Sequence, residues 1–123
     1  MLMYNSSDLE IKTVTIAAGG SLSTALDKRY FTYMSILLPS TWTTASITFA
    51  GCDTTHGSFN QVVSATDVSE VEIPSVAASK VIVLDTEFME AVLAIPWIKL
   101  RSGTANSPVT QTTEQKIKIA LRR

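Results

Sequence analysis

PWIKLRSG (96–103) and QKIKIALRR (115–123), separated by TANSPVTQTTE (104–114), are the stretches that decide the fold. Each alternates apolar and polar residues with period two, the mark of a strand with one buried face. Ile98 and Leu100 alternate with Trp97, Lys99 and Arg101; Ile117, Ile119 and Leu121 alternate with Lys116, Lys118 and Arg122. The apolar five are expected to line one wall of a core. If the two strands pair, the outward cations form a basic ladder. Like charges opposite one another would repel by a few tenths of a kcal/mol each, on the order of other cross-strand pairs. An acidic neighbour, such as the segment carrying Glu70 and Glu72, or a partner protein would relieve that repulsion.

Working outward from this pair, short runs rich in Val, Ile, Thr and aromatics recur between Gly, Ser, Thr and Pro punctuation, as in sandwiches and barrels. In LEIKTVTIA (9–17) the apolar parity changes between Ile11 and Val14, which predicts a bulge or a crossing between sheets. Gly19-Gly20 ends that run in a turn, and no phosphate-loop lysine follows. SLSTALDKR (21–29) reads as extended or loop chain. YFTYMSILL (30–38) is apolar on both parities, which predicts cover on both faces, and Pro39 stops it. A strand over 45–50 places Ile47 and Phe49 inward. Residues 51–67 read as loop, with a weak strand near 61–64. The run 69–74 places Val71 and Ile73 inward, and KVIVL (80–84) reads as a central strand. Asp85 offers an N-cap for one short helical segment near 86–94, with Phe88, Ala91 and Val92 on one face.

A chain of 123 residues is the length of one domain and long enough for an ordinary core. The division expected is an N-terminal arm over 1–8 and a single β-sandwich over 9–123. Met1, Leu2, Met3 and Tyr4 are apolar and carry no strand pattern, which makes them candidates for lying across a neighbouring subunit. The opening MLMYNSSD lacks the features of a secretory leader, and no apolar run approaches a membrane span, so the expectation is a product of the cytoplasm with no membrane partner. Net charge is −1 but unevenly spread: residues 1–96 carry four Lys/Arg against ten Asp/Glu, and residues 97–123 carry six against one. The two parts are complementary, which either gives two differently solvated faces of one sandwich or ties subunits together; the near-neutral total argues against nucleic-acid binding.

Catalytic and cofactor chemistry find no footing. Cys52 is the lone cysteine and His56 the lone histidine, too few for a zinc site or a redox pair. No GxSxG elbow is present, and Glu70/Glu72 and Asp85/Glu87 are short-range carboxylate pairs of the usual solvated kind. No enzyme, cofactor or metal is expected. Exposed aromatics beside polar loops leave one binding reading open: Trp42, Trp97 and Phe59, with His56, are candidate glycan contacts.

KTVTIAAGGSLSTALD (12–27), LPSTWTTASITF (38–49) and IKLRSGT followed by Val109-Thr110-Gln111 (98–111) together resemble small structural proteins encoded by tailed bacteriophages and prophages. The resemblance runs in collinear order over most of the chain and carries no catalytic set. It implies an all-β, antiparallel jelly-roll-like β-sandwich and a virion component on the capsid surface, a decoration or cement protein. The implied partners are the major capsid protein and further copies of itself, a trimer being the expected oligomer. On that reading Lys99, Arg101, Lys116, Lys118 and Arg122 are candidate subunit or capsid contacts. The alternative is a glycan-binding module of a phage tail, fibre or head appendage.

Overall fold

The computed structural model describes residues 9–123. Among them the elements run β1 (Leu9–Ile16), β2 (Leu26–Asp27), β3 (Tyr33–Leu37), β4 (Ala45–Cys52), β5 (Asn60–Gln61), β6 (Glu72–Val76), β7 (Val81–Val83), α1 (Thr86–Val92), β8 (Trp97–Ser102) and β9 (Gln115–Arg122). The arm expected over 1–8 lies outside the described residues.

Two antiparallel sheets face each other. One has the order β1-β9-β3-β7; the other runs β2-β8-β4, with β5 and β6 both pairing β4. With β5 set aside, the second sheet is β2-β8-β4-β6. Eight strands distributed in this way make a jelly roll of two Greek keys. The all-β sandwich read from the sequence is therefore present, with α1 its one short helix among the described residues.

The deciding pair behaves differently from expectation. β8 and β9 each have the predicted alternation, but they lie in opposite sheets. Ile98 and Leu100 form part of one wall, and Ile117, Ile119 and Leu121 part of the other; all are buried. The basic ladder does not exist. Period two fixes which side chains face inward but carries no information about which strand lies alongside. Between the walls pack Phe49, Ile47, Ile36, Met34, Ile16 and Leu26.

β1 contains neither bulge nor crossing. It pairs with β9 without interruption from Leu9↔Arg122 to Ile16↔Gln115. Val14 and Ile16 face the core, while Leu9 and Ile11 face outward and are exposed. The parity change is a change of environment along one regular strand. The irregularity instead lies between β4 and β6, at Ala45/Ile47. Pro74 is tolerated in β6 because, among the described residues, β6 pairs only with β4 and its other side carries no ladder bonds.

KVIVL supplies an edge strand, not a central one: among the described residues β7 pairs only with β3, and Val81 and Val83 are exposed. An apolar run of this length does not distinguish the two cases. β3 is shorter than the apolar run 30–38; Tyr30 lies in the turn before it, and its outer face carries exposed Tyr33. In α1 the Asp85 side chain accepts from Phe88 N at 3.2 Å, the expected cap. The buried face is Met89 and Val92, however, while Ala91 is exposed and Phe88 half-buried.

Candidate functional site

The two outer faces of the sandwich differ in kind. On the β2-β8-β4 sheet, Lys99 stands opposite Ala50 and Arg101 opposite Thr48. Directly opposed residues share a face. Yet Thr48 and Ala50 are both 0% exposed, so the chain covers this side itself. Glu70, from the β5–β6 connection, accepts from Arg101 Nη1 at 3.0 Å and from Ala105 N at 3.0 Å. This is the acidic relief anticipated for Arg101, supplied within the chain. Lys99 lies over the Phe59 ring, 4.5 Å from its centroid.

Among the described residues the outer face of β1-β9-β3-β7 is largely exposed. Ile11, Ala120, Ser35 and Val83 form one registered row across the four strands. Leu9, Arg122 and Tyr33 form the row on one side of it, and Thr13, Lys118, Leu37 and Val81 that on the other. Ile11 is 57% exposed, Tyr33 60% and Val83 73%. Apolar side chains gathered on one sheet face in this way are typical of an interaction surface, whereas scattered ones are not. Lys116 and Lys118 are exposed on the same face. The five basic candidates are thus divided: Lys99 and Arg101 on the covered face, Lys116, Lys118 and Arg122 on the open one.

The glycan candidates fare unequally. Trp42 is 4% exposed and its indole N–H donates to Val76 O at 3.1 Å, so it belongs to the core and offers no ring face to a sugar. Trp97 is half-buried with the Arg29 guanidinium 5.4 Å from its ring centroid. Phe59 already has Lys99 on it, and His56 is exposed in the 53–57 bend. An open groove of ≈ 750 Å³ lies between the β5–β6 connection and α1, with Asp67, Glu72, Glu87 and Glu90 at its walls. Among the described residues no three His, Cys, Asp or Glu side chains gather as metal ligands.

The segments 12–27, 38–49 and 98–111 meet at one residue that no chemical motif singled out, Gln111. Gln111 is fully buried. Its Nε2 donates to Thr43 O at 3.1 Å and to Ser102 Oγ at 2.8 Å; its Oε1 accepts from Thr43 N at 2.8 Å and from Gln115 Nε2 at 3.3 Å. Its backbone is held on both sides by the glycine turn, with Gln111 N donating to Gly20 O and Gly19 N to Gln111 O. Gly103 makes the neighbouring turn possible: at φ +85°, a Cβ there would sit 2.6 Å from Ser107 O and Val109 N. These three segments are thus the clasp of one end of the sandwich. The only sequence signal for this was their co-occurrence.

The fold and its surfaces define an antiparallel jelly-roll sandwich with an internally satisfied polar clasp and one open, apolar outer face. Among solved structures it is similar to the SPBc2 prophage-derived protein YomS, at 13% sequence identity and a TM-score of 0.54, over 100% of this chain and 99% of that one. At that identity the likeness is one of fold. No known protein family matches the chain, and no curated protein does.

Proposed function

We propose that this protein is a non-enzymatic phage virion component, a capsid decoration (cement) protein that binds the outer capsid surface as a homo-oligomer and stabilises the head. The observation that carries this reading is the open face of the β1-β9-β3-β7 sheet, where Leu9, Ile11, Tyr33, Val81 and Val83 are exposed beside Lys116 and Lys118. Such a face suits a broad, flat partner with acidic groups at its margin. The fold shared with a prophage-derived protein supports a phage setting. The major capsid protein is the partner proposed.

The test is add-back to purified heads that lack the protein. Saturable co-sedimentation and a raised temperature of head disruption are expected, with Tyr33→Lys/Val83→Lys weakening binding by about tenfold or more, near 1.4 kcal/mol. Absence of binding to heads, with the protein recovered in the tail fraction, overturns the reading. The glycan alternative now rests on Trp97, His56 and Phe59. A glycan array that lights up for the wild type and goes dark for Trp97→Ala would support it.

A further inference from the structure

β1 is an edge strand of its sheet. Thr15 reveals which way its backbone groups point. Its N–H donates to Thr24 Oγ1 at 3.0 Å and its carbonyl accepts from Thr24 N at 2.9 Å, both away from β9. Backbone groups alternate along a strand, so Leu9, Ile11 and Thr13 direct theirs the same way. β9 agrees: the Arg122 carbonyl accepts from Thr32 N at 2.8 Å, so Arg122 turns toward β3 and not toward Leu9 opposite it. Among the described residues nothing bonds the outward groups of Leu9, Ile11 and Thr13. All three residues are exposed.

We infer that two copies of this chain join by antiparallel pairing of their β1 edges about a two-fold axis at Ile11. In that register Leu9 meets Thr13 of the partner subunit, Ile11 meets its own counterpart, and Thr13 meets Leu9 of the partner subunit. Each such pair exchanges two bonds, giving about six new backbone hydrogen bonds. The two-fold contact is isologous and closes at two copies.

The side chains select this register. On the other face of β1, Glu10 comes opposite Lys12 of the partner subunit, and Lys12 opposite Glu10 of the partner subunit. A lone lysine turned toward the core side of an edge strand is a common block against self-pairing. Here the glutamate two residues earlier, on the same face, converts the block into a complementary pair. Shifting the axis to Thr13 would need the groups of Thr15, which Thr24 holds. On the outer face the two Ile11 side chains meet and join the apolar rows of both copies into one surface. The other free edge, β7, offers only Val81–Val83 and no charge pattern. Pairing β1 with β7 would be head-to-tail and would build open chains.

This pairing does not depend on what the protein decorates, and it is tested on the purified full-length chain alone. Sedimentation should show a concentration-dependent dimer in place of the expected trimer. Glu10→Lys or Lys12→Glu should each raise the dimer Kd by about tenfold or more, and the double reversal should restore it to near the wild-type value. Thermal melts at monomeric concentrations separate association from folding, since Lys12 also donates to Asp27 O at 3.1 Å. In a Cys52→Ser background, Ile11→Cys should oxidise to a covalent dimer, because opposed strand positions lie within disulfide reach. A monomer at all concentrations overturns the inference. So does a double reversal as weak as the single ones, or an Ile11→Cys variant that stays reduced within an intact dimer.

Discussion

Two buried polar side chains dominate at the scale of single residues, and they differ in how well they are satisfied. Gln111 uses both donors and both acceptor positions of its amide, so Gln111→Leu takes from buried Ser102 Oγ the donor it accepts from and breaks both bonds to the Thr43 backbone. At roughly 1–3 kcal/mol for each stranded group, a loss of about 3 kcal/mol is expected, seen as a lower urea midpoint at unchanged slope. Lys28 is 1% exposed and its Nζ donates to one acceptor, Leu93 O, at 3.0 Å. Burial pushes its pKa below the ordinary lysine value. The unfolded chain then binds the proton more tightly than the folded one, so stability rises with pH between the depressed value and about 10.5. Below that window the cost is constant. Denaturation series from pH 7 to 11 should show this rise in the wild type, and Lys28→Met, which keeps an apolar stem, should remove it.

At the scale of elements, α1 depends on its cap. Seven residues make a marginal helix by themselves, and Asp85→Ala should cost about 1 kcal/mol, read from equilibrium unfolding. This cap was legible in the sequence because it depends on residues three apart along the chain. So were the inward positions of β4, β8 and β9, which follow from period two. What the sequence did not reveal depends on neighbours distant along the chain. The apolar content of 80–84 is the same whether the strand is central or at an edge. Leu9 and Ile11 looked like core residues out of register because apolar side chains are expected inside; in fact they face outward from a regular strand. The face of α1 was placed one step away, at Phe88 and Ala91 instead of Met89, since two turns of helix give too few positions to fix a stripe.

At the scale of the whole molecule, fold class was legible and sheet membership was not. Charge shows the same division: the basic C-terminal quarter is split between two outer faces because β8 and β9 part company. Arg101 is answered by Glu70 of the same chain, while Lys116 and Lys118 remain on the open side. Reversing Lys116 and Lys118 to Glu should therefore leave the melting temperature nearly unchanged and weaken head binding, whereas Arg101→Glu should lower the melting temperature. Strand order also has a consequence for synthesis. β9 lies between β1 and β3, so two strands made early share a partner that follows β1 by about a hundred residues. While residues 115–122 are still inside the ribosome, that sheet has no centre and β1 has two bare edges. At about 5–20 residues per second the wait lasts seconds, during which β1 lacks the strand that joins it to β3.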